Sequence, residues 1–245
     1  MSIFLTELRE TFLWDRDSRH GPLPPLLVSM TLVTGLVDAF SYLALGHVFV
    51  ANMTGNVVLL GFALVGAPGF SIAASLVAIA SFALGSVAGG RIGARYSKNR
   101  GLHLGSATVV QSVGLAAAVA LAAASGSPVP PGYRYGLIIL LAIAMGIQNA
   151  TARKLAVPDL TTTVLTMTIT GITADSALGG GNGSKAGRRL VAVGTMLAGA
   201  VVGAAFIVHH SIVYPLVIAL IVAAGVGTTA RALGRSDPAW AASDA

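Results

Sequence analysis

Long apolar runs are the feature that most constrains this chain. Six of them are long enough to cross the hydrocarbon core of a bilayer, which takes about 20 residues of α-helix. They cover residues 25–45, 71–90, 102–124, 135–150, 190–208 and 212–230. Only 10% of the 245 residues are charged, whereas a soluble domain of this length carries about a quarter. The sequence therefore predicts an all-α polytopic membrane protein in a lipid bilayer.

The excess of positive charge is better explained by membrane orientation than by nucleic-acid binding. The formal net charge is +6, and the 15 Lys and Arg residues lie in short clusters between the apolar runs. Such clusters set the direction in which membrane helices insert. The chain has no Cys, which excludes disulfides, thiolate metal sites and Cys nucleophiles. We expect no metal, no cofactor and no nucleic-acid partner.

Two further apolar segments differ from the long runs. Residues 57–65 would form a helix of about ten residues, which covers only ~15 Å, half of the hydrocarbon core. Residues 160–178 are rich in Thr and follow Val157-Pro158-Asp159. If both segments cross the membrane, nine of the 15 Lys and Arg residues lie on the same side of the membrane as the N-terminus. If both segments return to the face from which they start, fourteen of the 15 lie on that side, all but Arg134. The positive-inside rule favours the second arrangement.

An internal duplication accounts for the paired short segments. Each half then holds three full spans, an odd number, so the halves face opposite ways across the membrane. Gly35-Leu-Val-Asp-Ala39 aligns with Gly146-Ile-Gln-Asn-Ala150, and Met53-Thr-Gly55 aligns with Leu165-Thr-Met167. A ladder of small residues is also repeated, at Ser81, Gly85, Gly89 and Gly93 and at Thr195, Gly199 and Gly203. We predict six transmembrane helices plus two re-entrant half-helices in an inverted 3+3 repeat. The ladder from Ser81 to Gly93 is expected to pack helices inside the protein rather than to form a dimer face.

The chain divides into one membrane domain with two short flanks. The domain covers residues 25–231, with one repeat at about 25–124 and the other at about 135–231. Residues 1–24 mix acidic and basic side chains and lack an uninterrupted apolar core, so they do not form a signal peptide. An interfacial helix and a disordered tail both remain open for them. We expect this segment and the tail, residues 232–245, to be cytoplasmic.

Asp38 lies inside the first long apolar run. An acid at the centre of a spanning helix costs about 2.5–3.5 kcal/mol on insertion scales, and such residues usually face a cavity or a partner. Burial favours the neutral form of a carboxyl group, and no Lys or Arg within the predicted spans would hold it ionised. A proton-coupled carrier needs such a group. Alternatively, a protonated Asp38 bonded to Ser41, Thr34 or an exposed backbone group would only lock the fold. Its repeat counterpart, Asn149, cannot titrate.

Polar residues mark the two interruptions. After the first span the chain can descend to mid-membrane, where Asn52 or Thr54 is a natural N-cap for the returning half-helix. Asp159 and Thr161–Thr163 would do the same from the other side, with Thr166 opposite Thr54. Two converging helix N-termini favour an anionic or strongly polar ligand. Alternatively, these side chains only satisfy backbone groups that lipid cannot.

Three blocks of the sequence resemble a known family. They are Gly35-Leu-Val-Asp-Ala-Phe-Ser-Tyr42, Asn52-Met-Thr-Gly-Asn56 and Gly146-Ile-Gln-Asn-Ala150. The resemblance is to the YoaK family of bacterial multispanning inner-membrane proteins, which is defined by a domain of unknown function, and it covers about residues 25–230. It implies a multi-pass protein of the bacterial inner membrane and no established substrate. One departure is Thr166-Met167, where the family pattern often has Thr-Gly.

The function expected from these residues is a proton-coupled secondary transporter for a small polar or anionic solute. The pathway residues would be Asp38, Asn52, Thr54, Gly55, Asn56, Gln148, Asn149 and Thr166. Secondary candidates are His47 at the outer mouth and Asp175, which is expected to be solvated or paired with Arg188. A passive channel or facilitator and a non-transporting structural or regulatory subunit are the alternatives, and homo-oligomerisation is left open. No Gly-x-Ser-x-Gly or His-Glu-x-x-His motif is present, so we expect no enzyme.

Overall fold

The protein is built from α-helices. The computed structural model describes residues 11–12, 19–158, 160, 162–163, 165–176, 180–181, 186–236 and 238–242. In chain order its helices are α1 (Leu23–Ala44), α2 (Met53–Leu64), α3 (Ile72–Arg95), α4 (Arg100–Ser125), α5 (Pro131–Leu155), α6 (Leu165–Ala174), α7 (Ala186–His209), α8 (Val213–Ser236) and the single turn α9 (Pro238–Ala241). Among these described residues, six helices are long and apolar enough to cross a bilayer, whereas α2 and α6 are shorter apolar helices. The prediction of six long apolar helices is confirmed.

The helix boundaries follow from local chemistry. The side chains of Asn52, Ser71 and Asn99 cap α2, α3 and α4, each accepting a hydrogen bond from a backbone N–H in the first turn. Helix α5 begins with Pro131, whose missing N–H would have no helical partner at this position. Helix α1 ends just before Gly46, which takes a positive φ of 86°.

The helices pack in pairs that recur in the two halves of the chain. The most extensive contacts join α1 to α7, α3 to α5, and α4 to α8. Helix α1 also packs on α8, and α5 packs on α4. The short helices α2 and α6 contact the long helices that follow them, α3 and α7. The pairs of one half correspond to those of the other. When each of α1 to α4 is exchanged with the helix four places later, the α1–α7 pair becomes the α5–α3 pair, and the whole set of pairs is reproduced. Helices α1 and α5 hold the most buried spans.

Glycines allow the closest of these contacts. A Cβ built on Gly35 would collide with the carbonyl oxygen of Met196 in α7, and one on Gly146 would collide with that of Phe82 in α3. Glycines of the small-residue ladders lie on the other side of these contacts. A Cβ on Gly199, for example, would come within 2.5 Å of the carbonyl oxygen of Leu32 in α1. Small residues let membrane helices approach closely enough to pack well in lipid. The glycines of both ladders therefore lie at contacts between helices inside the protein, as predicted for the ladder from Ser81 to Gly93.

Contacts between helix ends fix how the long helices run. Arg100, at the start of α4, donates hydrogen bonds to the carbonyl oxygens of Arg19 (3.1 Å) and Leu155 (2.9 Å). Asn99 donates to the carbonyl oxygen of Gly234, at 3.0 Å, near the end of α8. The start of α1 and the ends of α3, α5 and α8 thus lie together, and we call this the basic end because Arg19, Arg100 and Lys154 line one cavity there.

The opposite end gathers the other termini of α1, α3 and α5. The side chain of Arg134, in the first turn of α5, lies against Gly46, which follows α1. His47 Nδ1 lies 3.1 Å from the carbonyl oxygen of Gly69, which precedes α3. Helices α1 and α5 therefore run in opposite directions, and α3 begins at the same end where α1 finishes.

Candidate functional site

Helices α2 and α6 begin at one shared cavity of about 640 Å³. Asn52, Thr54 and Gly55 from the start of α2 line it, as do Thr163 and Thr166 from the start of α6. Asn149 of α5 is also in the wall. Because the first backbone N–H groups of a helix have no intrahelical acceptor, two helix starts give this cavity hydrogen-bond donors and a positive dipole potential.

The start of α2 is shaped by its own polar residues. Asn52 is the N-cap, and its Oδ1 accepts a hydrogen bond from the backbone N–H of Gly55 at 3.2 Å. The side chain of Thr54 is exposed, as is that of Thr166 at the corresponding position of α6. Gly55 leaves room for an aromatic ring, because a Cβ there would lie 2.8 Å from Phe49 Cδ2.

Asp38 holds the loop that leads into this cavity. Its Oδ1 accepts hydrogen bonds from the backbone N–H groups of Val50 (3.2 Å) and Ala51 (2.9 Å). Within the described part of the chain its buried Oδ2 has no hydrogen-bond partner. The bonded groups belong to the broken segment between α1 and α2, whereas the hydroxyls of Ser41 and Thr34 bond to main-chain oxygens of α1. Asp38 does not line the cavity, but Ala51 does.

Asn56 holds the same loop from the other side. Its Oδ1 accepts from the backbone N–H of Phe49 at 2.9 Å, and its Nδ2 donates to the carbonyl oxygen of Phe49 at 2.6 Å. The side chain is fully buried and does not line the cavity. We call Asp38 and Asn56 the loop clamp, because together they hold the backbone of three successive residues, 49 to 51.

The second half has a related contact with different chemistry. Asn149 Nδ2 donates a hydrogen bond to Thr163 Oγ1, so a side chain of α5 holds the segment that leads into α6. Thr162, next to Thr163, is buried and takes a positive φ of 63°. Asp159 and Thr161, also expected in this interruption, lie outside the described residues. Unlike Asp38, Asn149 also lines the cavity.

Gln148 lies away from the cavity although it is next to Asn149 in sequence. Its Oε1 accepts from Gln111 Nε2 of α4 at 2.6 Å, and its Nε2 donates to Met30 O (3.1 Å) and Thr34 Oγ1 (2.9 Å) of α1. Adjacent residues of a helix point about 100° apart, so only one of the pair faces the cavity. Gln148 instead joins α1, α4 and α5 through a buried polar network.

The two secondary candidates lie elsewhere. His47 is at the end opposite the basic end, against Gly69. Asp175 follows α6 and forms a salt bridge with Arg189 Nη1 at 2.8 Å, so its partner is Arg189 rather than the expected Arg188. About half of the Asp175 side chain is exposed, at 53%. Within the described ranges no group of three or more His, Asp or Glu side chains could hold a metal ion.

Aromatic side chains also line the cavity, although the pathway predicted from the sequence contains none. Tyr42, Phe49 and Phe82 line it, and the rings of Tyr42 and Phe49 stack with centroids 4.9 Å apart. A signal for Tyr42 was available, because it follows Asp38 by four residues and therefore lies on the same face of α1. Phe49 lies in an irregular segment, where no such periodicity applies.

Comparison with known proteins places the chain in a family. Residues 26–229 match a family described as a protein of unknown function, DUF1275. The chain belongs to the DUF1275 family. It is 36% identical over 155 residues to the UPF0700 transmembrane protein YoaK of Bacillus subtilis strain 168, and the match covers 61% of this chain and 65% of that relative. The matched stretch thus spans less than two thirds of YoaK. No solved structure matches this DUF1275 protein. The predicted membership of the YoaK family is confirmed.

Proposed function

We propose that this protein is a non-enzymatic secondary transporter for a small polar or anionic solute, coupled to protons through Asp38. The observation that carries the proposal is the shared cavity of about 640 Å³ at which the two short helices begin. A protein that only anchors or scaffolds has no need of two helices that start at a common polar cavity. Interrupted helices around a central site are a recurring arrangement in transporters.

Re-entrance of the short helices is part of the proposal, and the contacts between helix ends support it. The His47–Gly69 contact brings the residues after α1 and before α3 together, so the segment containing α2 returns to the end it left. Helix α5 finishes at the basic end, where α8 also finishes. Because α7 and α8 are joined by a short turn, α7 must then begin at the basic end, and the segment containing α6 returns there.

An inverted repeat is also part of the proposal. It is supported by the helix pairs that exchange between the halves, by the opposite directions of α1 and α5, and by the matching glycine contacts at Gly35 and Gly146. We further propose that the basic end faces the cytoplasm of a bacterial inner membrane, with both termini on that side. Fourteen of the 15 Lys and Arg residues then follow the positive-inside rule.

The chemistry of the cavity wall supports the proposed class of solute. None of the described residues that line it is charged, and its polar groups are side-chain amides and hydroxyls together with the N-terminal turns of α2 and α6. Neutral donors in a positive helix-dipole potential suit a single negative charge or a strongly polar group. The aromatic residues supply an apolar wall for the rest of the solute.

The position of Asp38 behind the loop supports the proposed proton coupling. An ionised carboxylate accepts stronger hydrogen bonds than a neutral carboxyl group, so a change in protonation changes how firmly Val50 and Ala51 are held. These residues directly precede Asn52, the N-cap of α2. Protonation of one buried group is thereby linked to the position of the helix start that lines the cavity.

Proton movement in proteoliposomes tests the coupling. Vesicles that contain a pH-sensitive dye would receive a panel of small polar and anionic solutes from outside. We expect at least one solute to drive proton movement through the wild-type protein and the matched control Asp175→Asn, but not through Asp38→Asn. Solute-driven proton movement that persists in Asp38→Asn refutes the coupling role. Solute flux without proton movement in the wild type indicates a passive facilitator.

Cysteine labelling tests whether the cavity is wet. Because the chain has no native Cys, single-cysteine variants report one position each. We expect Thr54→Cys and Thr166→Cys to react with a water-soluble thiol reagent in membranes, and Thr108→Cys, which replaces a residue only 2% exposed in α4, to remain unreactive. If all three resist the reagent, the cavity is dry and the protein is a structural subunit rather than a transporter.

A further inference from the structure

The cavity between the short helices lies at the depth of the hydrocarbon core. Phe82 and Met196 line it, and they lie near the middle of α3 and α7. Both helices are 24 residues long and apolar enough to cross a bilayer. The middle of a spanning helix lies near the centre of the bilayer. A side of the cavity that protein does not cover therefore faces lipid tails rather than water.

The short helices flank one side of this cavity without closing it. Helix α2 packs on α3, and α6 packs on α7. Helices that pack together have axes about 8–10 Å apart. Within the described ranges, however, no Cα atom of α2 lies within 8 Å of one in α6, and the same holds for α3 and α7. The two short helices are thus separated by a gap.

The edges of this gap are apolar. Val58 lies one turn after Thr54 on the same face of α2, and Ile169 lies one turn after Thr166 on the same face of α6. All four residues line the cavity, and the two aliphatic side chains are each 51% exposed. Each short helix therefore brings a hydroxyl group to the cavity at its start and an aliphatic side chain further along, where it suits contact with lipid.

Apolar side chains also form much of the inner wall. Phe49, Phe82, Met53 and Met196 line it. Methionine side chains are flexible and polarizable, so they adapt to apolar ligands of different shapes. The volume of about 640 Å³ lies within the range of roughly 300–1,000 Å³ that is typical of pockets for drug-sized ligands. An inorganic anion or a two-carbon acid would leave most of this wall without contacts.

We propose that the solute is an amphipathic monoanion, a carboxylate with an apolar chain or ring, and that it enters sideways from the bilayer between α2 and α6. This inference rests on the proposed transport function and names the class of its solute. The carboxylate lies at the hydrated helix starts, and the apolar body lies against the aromatic and methionine side chains. Contact with them removes apolar surface from water, which favours binding.

Spin labels test the lateral opening in liposomes. They are attached to Val58→Cys and Ile169→Cys, and to two reference variants. The references are Leu84→Cys, which replaces a residue 66% exposed on α3, and Lys98→Cys, which replaces an exposed residue in the turn after α3. Oxygen concentrates in hydrocarbon, whereas a nickel chelate stays in water. We expect oxygen to relax the labels at positions 58 and 169 as strongly as at position 84, and the chelate to relax only the label at position 98.

Protection from a thiol reagent tests the class of solute. Thr54→Cys in liposomes is treated with N-ethylmaleimide, which crosses bilayers, in the presence of acetate, octanoate or octylamine. We expect octanoate to protect at a concentration at least tenfold lower than acetate, because burial of about two methylene groups is enough for a factor of ten. Octylamine, the cation of equal chain length, gives no protection. We expect an added Phe82→Ala to raise the octanoate concentration needed by about tenfold, and the matched control Leu84→Ala to leave it unchanged.

The outcomes separate this inference from the transport function. Equal protection by acetate and octanoate, protection by octylamine, or no protection at all overturns the inference, even where a hydrophilic solute drives proton movement through the protein. Relaxation by the chelate at positions 58 and 169 overturns the lateral opening. Relaxation there by neither agent also overturns it, because the gap is then covered by a second copy of the chain. If octanoate protects as expected but no solute moves protons, the cavity binds an amphipathic anion and only the transport function fails.

Discussion

Replacing a glycine at a helix crossing tests the helix packing directly. Gly85 of α3 and Gly199 of α7 each contact the backbone of a facing helix, and a Cβ on Gly85 would lie 2.8 Å from both the Cα and the carbonyl carbon of Ile143. Gly90 and Gly194 lie on the same two helices with nothing within 4 Å of the added atom. The variants Gly85→Ala and Gly199→Ala therefore have matched controls in Gly90→Ala and Gly194→Ala.

The expected cost is set by overpacking. Backbone atoms cannot rotate out of the way as a side chain can, so α3 and α5 must move apart to admit the methyl group. Adding a methylene to a packed interior costs about 1–3 kcal/mol. The gain of about 1 kcal/mol in helix propensity on changing Gly to Ala is common to Gly85→Ala and Gly90→Ala. It cancels in their difference, which should thus be about 1–3 kcal/mol in the free energy of unfolding.

Unfolding in mixed micelles measures this difference. The purified variants would be titrated with sodium dodecyl sulfate while the fluorescence of the two tryptophans, Trp14 and Trp240, is recorded. Trp240 is only 2% exposed, so its emission should change on unfolding. We expect Gly85→Ala and Gly199→Ala to unfold at a lower fraction of the denaturing detergent than the wild type, and the two controls to match or exceed it. If Gly85→Ala is as stable as Gly90→Ala, α3 and α5 are not in backbone contact at Gly85. If only one of the two crossings is sensitive, the halves do not pack alike.

Two further substitutions concern individual contacts. Replacing Asn56 with Ala removes both of its hydrogen bonds to Phe49. We therefore expect the free energy of unfolding to fall by about 1–3 kcal/mol in the same detergent titration, and the loop before α2 to be cleaved faster by a protease. Unchanged proteolysis would show that this half of the loop clamp is dispensable. Replacing Asp175 with Asn removes only the exposed salt bridge to Arg189, so we expect less than about 1 kcal/mol of destabilisation, and a larger loss would contradict a surface role.

The number and type of the helices could be predicted from the sequence because the bilayer imposes a length scale. Apolar runs that match the hydrocarbon thickness predict the long helices, and the short run after Asn56 predicts α2. The cap at Asn52 was predictable as well, because few residue types can satisfy the first N–H groups of a helix. These features depend on local chemistry, which a single sequence carries.

The direction in which each side chain points could not be predicted in the same way. In a helix that is apolar all round, periodicity does not tell the cavity side from the packed side, so Gln148 and Asn149 looked equivalent. Asn56 was expected in the pathway for its polarity, but its amide is used by the backbone of Phe49. The choice of Arg189 over Arg188 depends on the rotation of α7, which the charge pattern leaves open.

The difference between Asp38 and Asn149 has a consequence for the energetics of the whole molecule. If the halves were identical, exchanging their roles would produce an inverted arrangement of equal free energy, and both would be equally populated. The two halves differ at many positions, among them the acid Asp38 and the amide Asn149, so the two arrangements of the proposed repeat differ in free energy. Under the proposed coupling only Asp38 of this pair gains or loses a proton, so the balance between the two arrangements would depend on pH. In the proposed repeat, an oxygen in place of a nitrogen thus lets the proton concentration favour one direction.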